Sequence, residues 1–362
     1  MINFRYHVVS IVAVFLALSI GIVLGSTQLR GRTIDLLEGA TTSAQNQVKA
    51  QHAINAALNR QVSGDGDFAT ANAQRIIGGL LADQRVVLVS APNAPGSVVS
   101  GVASALELAG AKVTGQVSLQ PLVFDPSASN QSYISTIVAT LSSTHVQPPN
   151  GSPLEQASWL LGSAILTKND PSSDTQSGKT SGTTDTTGTS STSGENVLSS
   201  YAQAGLLSVT SGQPGTDPAT LAVVVTPSTV PSDGNSDSTN QGLVTLAQEL
   251  DTAGLGTVMV GSTSGSVAGS AIDTLRGSNA GAQISTVDDA DTEIGQIISV
   301  QALALALDGR KPGSYGVDPG NSAAAPSPAP TPAASTSSTT TSQSQGNTRK
   351  NSSTSKSSGK KT

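Results

Sequence analysis

The sequence predicts an α/β protein: a doubly wound, mostly parallel five-stranded Rossmann-like sheet, preceded by an N-terminal transmembrane helix and a coiled-coil-like helix. Three observations predict it. Val8–Leu24 is a run of 17 residues without a charge. From residue 85 onward, short apolar strand-like runs alternate with helical ones, the rhythm of a parallel sheet wound on both faces. Only 36% of the 362 residues are hydrophobic and 2% aromatic. That is too polar for a multi-span transporter and leaves a core of Val, Ile, Leu and Ala.

The anchor comes first. At 1.5 Å per residue the run VVSIVAVFLALSIGIVL reaches about 25 Å, the short end for a spanning helix. Phe4, Tyr6 and Leu29 can extend it. A signal peptide cut before Ser26, after Val23 and Gly25, competes with retention. The apolar run exceeds the 7–15 residues of the usual signal core, which favours a retained anchor. Arg5 and the amino terminus balance Arg30 and Arg32, so charge counting leaves orientation open. A single-pass protein with its main domain outside the cytoplasmic membrane is the expectation. Ala17, Gly21 and Gly25, four apart, place three small residues on one helix face, which suits close packing of two helices. Membrane helices are rich in small residues in any case.

Residues 33–62 carry a weak heptad. With Ile34, Thr41, Val48, Asn55 and Val62 at a, and Leu37, Ala44, Gln51 and Leu58 at d, six of nine seam positions are apolar. A loose coiled coil with Asn55 setting register fits, as does a lone amphipathic helix folded onto the domain. Gly64-Asp65-Gly66 is expected to end it, with a second helix over Phe68–Ala82. Anchor and stalk together offer a homodimer contact.

The expected strands are Arg85–Ser90, Lys112–Leu119, Leu221–Thr226, Thr257–Val260 and Gln283–Val287. Helices are expected at Val98–Ala109, Tyr133–Leu141, Pro153–Leu166, Gln241–Ala253, Val267–Arg276 and Glu293–Leu307. Residues 169–194, almost all Ser, Thr, Gly, Asp and Lys, read as a disordered insertion. The domain expectation is therefore anchor 1–29, stalk 30–66, α/β domain 67–316, and a disordered Pro/Ser/Thr-rich basic tail 317–362.

Charge limits function. After Asp318 there is no acid, while Arg349, Lys350, Lys356, Lys360 and Lys361 supply +5; removing these from the formal −6 leaves −11 elsewhere. An acidic body argues against nucleic acid as partner. The basic tail suits an anionic wall polymer or lipid, or simply solubility. With no cysteine there is neither disulfide nor thiolate metal site.

Ligands of such sheets sit beyond the carboxyl ends of the strands. Those ends carry Ser90 and Asn93, Thr226 and Ser228, Ser262–Ser266, and Asp288–Asp291. Gly261-Ser-Thr-Ser-Gly265 matches neither a dinucleotide fingerprint nor a phosphate loop. It places Thr263 where a nucleophile elbow has its hydroxyl, but no histidine follows it as that hydrolase order requires. Asp288, Asp289 and Asp291, with Glu293, are the candidate metal ligands, through oxygen to a hard cation. The same acids suit the first turn of the following helix, with Asp291 as cap. His145 reads as a lone surface histidine and Trp159 as a core or domain-face anchor. No residue is assigned to catalysis or to a cofactor.

Three stretches carry a resemblance. Asn3-FRYHVVSIVAVFLALSIGIVL-Gly25, Ser285-TVDDAD-Thr292 and Gly309-RKPGSY-Gly316 together resemble the actinobacterial MctB family, the mycobacterial copper transport protein family, over residues 2–316. The resemblance implies an envelope protein with its domain outside the cytoplasmic membrane, tied to copper efflux and outer-membrane pores in mycobacterial relatives. In corynebacterial relatives it implies septal wall division. The residues argue for an indirect copper role. Soft-metal sites draw on Cys, Met and His, and the chain offers no Cys, three scattered His, Met1 and Met259. A pore-forming barrel needs strands of about ten residues alternating apolar and polar, unlike these short apolar ones. A non-enzymatic envelope or septal scaffold and an extracytoplasmic enzyme using the strand-end carboxylates are the alternatives.

Overall fold

The computed structural model describes residues 4–142, 147–169, 187–229 and 236–332, with the side chains of 26–38 and 187–193 outside that description. The expectations for His145, for the body of the 169–194 insertion and for the basic end of the tail therefore lie outside the described residues.

One helix, α1 (Phe4–Ile77), runs unbroken for 74 residues, about 110 Å at 1.5 Å per residue. The break expected at Gly64-Asp65-Gly66 does not occur. Two glycines cost a helix about 1 kcal/mol each, but tertiary packing overrides that penalty. A Cβ on Gly66 would lie 2.7 Å from Glu293 Oε2, so glycine there lets α1 approach the head. Beyond it Ala69, Ala73 and Ile77 are buried. The helix stops at Gly78-Gly79, where Gly79 takes φ 80°.

The sheet follows as β1 (Arg85–Ser90), α2 (Gly96–Leu108), β2 (Lys112–Leu119), α3 (Ala128–Ser142), α4 (Pro153–Ile165), α5 (Thr187–Gln203) and β3 (Leu207–Gly212). The second half is β4 (Leu221–Val225), α6 (Ser236–Ala253), β5 (Gly256–Val260), α7 (Ala271–Arg276), β6 (Ser285–Val287), α8 (Glu293–Leu307) and β7 (Ser314–Tyr315). Strand order is β3-β2-β1-β4-β5-β6-β7. Every pairing is parallel except β2 with β3.

Among the described residues the sheet thus has seven strands, not five. The central β4 and β5 are buried at every position, which makes them legible as continuous apolar runs. The two missed strands are edges. In β3 only Leu207 is buried and the rest is Ser-Val-Thr-Ser-Gly, and β7 has two residues. Helix α5 also begins inside the expected insertion, at Thr187. Its burying residues, Val197, Leu198 and Tyr201, come late, and Tyr201 donates its hydroxyl to Ala157 O at 3.1 Å.

Two apolar layers cover the sheet. One joins Val87, Val89, Leu243, Leu250 and Ile272 with α3–α7, and half-buried Trp159 packs against it. The other joins Val86, Leu88, Val258 and Leu303 with the upper part of α1, α2 and α8. Helix α4 starts on a capping box, Ser152 with Glu155.

The direction of α1 fixes how the head is held. Gly66 meets Glu293, which opens α8 just past the end of β6. Farther on, Leu81 N donates to Ala109 O at 3.1 Å, at the opposite edge where β2 begins. The carboxyl edge of the sheet therefore faces back along the stalk. Gly66 lies 41 residues after Gly25, about 60 Å of helix.

Candidate functional site

The strand order reverses between β1 and β4, whose crossovers leave toward β2 and β5 respectively. That is where such sheets take ligands. Three backbone bonds extend the ladder by one residue: Ala91 N to Val225 O (2.8 Å), Thr226 N to Val260 O (2.8 Å) and Gly261 N to Val287 O (2.9 Å). Asn93 stands at φ 61°. Thr226 is 1% exposed and its Oγ1 has no partner among the described residues.

Loops from three strands are laced across this edge. Asp291 Oδ1 accepts from Thr263 N at 2.9 Å and from Thr263 Oγ1 at 3.2 Å. Ser264 Oγ donates to Ser228 O at 3.2 Å, and Ser266 Oγ to Ser262 O at 3.0 Å. The Thr263 hydroxyl is thus held by a carboxylate, inside a 3-10 turn over Thr263–Gly265 rather than at a long helix start. Helix α7 begins later, at Ala271, capped by Ser270. Asp291 does not cap α8. Thr292 does, accepting from Gly295 N at 3.0 Å, which frees Asp291 to hold the serine-rich loop.

Two of the stretches singled out in the sequence meet at the next corner. Thr286 pairs with Ser314 and Val287 with Tyr315, and Asp288 N donates to Tyr315 O at 3.2 Å. Asp288 is fully buried and forms the hub of this corner. It accepts from Val317 N (2.8 Å), Asn321 Nδ2 (2.7 Å) and Arg276 Nη2 (3.0 Å). Arg276 also reaches Thr286 Oγ1 at 2.8 Å and Asp318 at 3.6 Å. Gly316, at φ 118°, has no room for a Cβ because Asp288 Oδ1 fills that place and Asp289 Oδ1 would lie 2.9 Å away.

Residues 317–325 are accordingly part of the head, correcting the expectation that the tail begins at 317. Gly316 N donates to Ala324 O at 3.1 Å, Tyr315 bridges Ala323, and Ala325 packs on the second apolar layer. A segment that looks too polar to order is fixed by backbone and amide bonds to one buried carboxylate.

Asp289 is 3% exposed and its Oδ1 has no partner among the described residues. Burial, then the Asp288 charge beside it, pushes its carboxyl from the usual 3.8 up to about 6. Asp288, Asp289 and Asp291 are therefore neighbours in sequence with three separate environments: a hub, an unpartnered buried carboxyl and a loop clasp. Among the described residues no group of three or more His, Cys, Asp or Glu is placed to hold a metal ion.

The softer donors lie apart. Met259 is fully buried in β5. His7 and His52 are both exposed on α1, 45 residues and about 68 Å apart along it. On the same helix Phe4–Gly25 is long and apolar enough to cross a membrane, and none of it is buried. Ala17, Gly21 and Gly25 are exposed there, with open space around Gly21 and Gly25. Sequence reasoning missed a groove of about 470 Å³ between α5 and β3, lined by Glu195, Leu198, Val209 and Pro214 among others. Neither flanking element carries a periodic apolar signal.

Comparison with known families places this architecture. The model of the family described as "Copper transport outer membrane protein, MctB" matches residues 1–326. The chain belongs to the MctB family. The match takes in α1, the sheet with its helices and the strap of residues 317–325 held by Asp288, and ends one residue after Ala325. The Copper transporter MctB of Mycobacterium tuberculosis is 29% identical over 335 residues, covering 88% of this chain and 98% of that protein. The Mycobacterium bovis protein of the same name gives the same values. The Copper transporter MctB of Mycobacterium leprae is 30% identical over 332 residues, with 88% and 98% covered.

Proposed function

We propose that this chain is a membrane-anchored cell-envelope protein that serves copper transport or homeostasis indirectly. Its head lies on the extracytoplasmic side and its working contacts are with partners, not with the metal. The match to the MctB family across residues 1–326 carries the copper half of this reading. The apolar helix Phe4–Gly25 supports the anchor, and outer-membrane association follows the family's description.

The donor chemistry supports the indirect role. Copper in either oxidation state is best served by thiolate, thioether or imidazole. Met259 is sealed in the sheet, and the two histidines on α1 stand too far apart to share an ion. At the head's corner Asp288 is committed to Arg276 and Asn321 and Asp291 to Thr263, which leaves Asp289 without a second free carboxylate beside it. That commitment also supports a non-enzymatic head. The test is Cu(I) competition against a chromogenic chelator with the purified full-length chain in detergent. The expected result is no copper retained at one per chain. Stoichiometric retention that disappears in His7→Ala or His52→Ala would overturn the indirect role.

A second reading, an envelope or septal scaffold, is favoured by the stalk itself. A helix holding the head about 60 Å from the span is a spacer. Its distinguishing result is misplaced septa with unchanged cellular copper in cells lacking the protein.

A further inference from the structure

We propose that the groove between β3 and α5 is a docking site for an extended peptide segment of a partner protein, which adds a strand to the free edge of β3. The two edges of the sheet are finished differently. At β7 the chain covers its own edge: Tyr315 bridges Ala323, and Gly316 N donates to Ala324 O at 3.1 Å. At β3 no described segment lies against the outer side, since the strand pairs with β2 alone. Native edges are blunted with charges, proline or a bulge. Strand β3, Leu-Ser-Val-Thr-Ser-Gly, carries no charge and no proline. It has one register shift, opposite Gln116 and Val117, and leaves Val209 40% exposed.

The backbone groups on offer follow from the ladder. Gln120 N donates to Leu206 O at 2.9 Å and Gln213 N to Thr114 O at 3.0 Å. Residues of an antiparallel strand turn these groups alternately toward and away from the neighbour. Leu206 and Ser208 therefore face β2 on one side of the register shift, Ser211 and Gln213 on the other. The N–H and C=O groups of Leu207, Val209 and Gly212 point away from β2 and are unpaired among the described residues. An added strand bonds to groups of this kind.

Shape and charge fix what else the segment carries. The groove holds about 470 Å³, inside the range of roughly 300–1,000 Å³ for ligand sites. Glu195, Leu198 and Ala202 line it along one face of α5. They span about 10 Å of helix, the length of about three residues of extended chain. Val209, Gly212 and Pro214 stand opposite. Val209 pairs with Val117, which shares an apolar layer with Leu198, so the Val209 side chain lies on the α5 side of the sheet. An aliphatic side chain of the incoming strand fits between Val209 and Leu198. Gly212, at φ 71° with Thr114 O filling the place of a Cβ, leaves its wall bare for a backbone. Glu195 is exposed, makes no ion pair among the described residues and is the one charged residue of the lining. The partner segment is thus a strand with small or aliphatic residues at alternate positions and a Lys or Arg at the Glu195 end.

The probe is a pool of seven-residue peptides with Val, Ile, Leu or Thr at alternate positions, Ser or Thr between them, and Lys or Glu at either end. It is passed over the immobilised full-length chain in detergent, and retained members are read by mass spectrometry. Lys-ended members retained at least about tenfold over Ala202→Arg and Val209→Pro are expected. Ala202→Arg fills the groove from an exposed helix position, and Val209→Pro removes an outward N–H that the β2 ladder does not use. Urea midpoints of both should match the parent; if that of Val209→Pro falls, Ala202→Arg alone decides. N-methylation of alternate residues of a retained peptide should abolish binding in one phase and spare it in the other. Glu195→Lys should turn the preference from Lys-ended to Glu-ended members. No retention, equal retention by Ala202→Arg, indifference to N-methylation or an unchanged preference in Glu195→Lys overturns the proposal. A doubled chain mass that Val209→Pro returns to one chain would make a second copy the occupant and overturn it as well. Each of these results is independent of the copper role, which cellular copper reads.

Discussion

Replacing Asp289 with asparagine should stabilise the head at neutral pH and leave it unchanged in acid. Asp289 is 3% exposed, one of its oxygens has no partner among the described residues, and burial together with Asp288 lifts the carboxyl to about 6. Each tenfold change in proton affinity is worth about 1.4 kcal/mol. A rise from 3.8 to about 6 therefore withholds about 2–3 kcal/mol from the folded state once the group is ionised. The sign follows from linkage: the folded state holds the proton more tightly, so stability falls as pH climbs from about 4 to about 6. Below that window both states are protonated and nothing is lost. Asparagine keeps the shape without the charge. Urea denaturation of the full-length chain in detergent, followed by far-ultraviolet circular dichroism at pH 4 and pH 7.5, reads the difference. A higher midpoint for Asp289→Asn at pH 7.5 that vanishes at pH 4 is expected. An equal or lower midpoint at pH 7.5, or a gain that persists at pH 4, would refute the assignment of an uncompensated charge.

Three further perturbations probe the neighbouring parts. Asp288→Ala removes the buried carboxylate that holds Arg276, Asn321 and Val317 N, leaving the guanidinium Asp318 and Thr286 alone, and should cost about 3–5 kcal/mol, with faster tryptic cleavage after Arg310 as the strap loosens. Gly316→Ala meets both a left-handed φ and the Asp288 carboxylate and should cost about 1–3 kcal/mol in the same denaturation assay. Gly320→Ala, 3.7 Å from its nearest neighbour, should cost almost none. Leu16→Arg places a charge at the middle of the span, a penalty of about 3 kcal/mol, and should shift the chain from the carbonate-resistant membrane fraction toward the soluble one.

The sequence shows the central architecture because burial on both faces leaves no choice of residue. Val86–Val89, Leu221–Val225 and Val258–Val260 are continuous apolar runs, and the acidic start and apolar body of α8 mark its observed limits, Glu293–Leu307. What stayed hidden depends on contacts distant in sequence. Strand β3 pairs only with β2 and shows water most of its side chains. The glycines at 64 and 66 signal a helix end locally, yet Gly66 is there to admit Glu293. The strap after Tyr315 has no apolar period and is ordered through Asp288, some thirty residues earlier. At the site, the run Asp288–Asp291 reads as clustered oxygen donors. Alternating chain direction and the capping role of Thr292 send the three carboxylates to different partners, which residue types alone do not reveal.

The most direct test of a membrane-anchored copper role is cellular copper in a strain lacking the gene, challenged with copper and read by elemental mass spectrometry. Loss should raise cell-associated copper. The full-length chain should restore it, and residues 30–362, without the anchor, should not. Unchanged copper on loss, or full restoration by the anchorless chain, would contradict the proposed role.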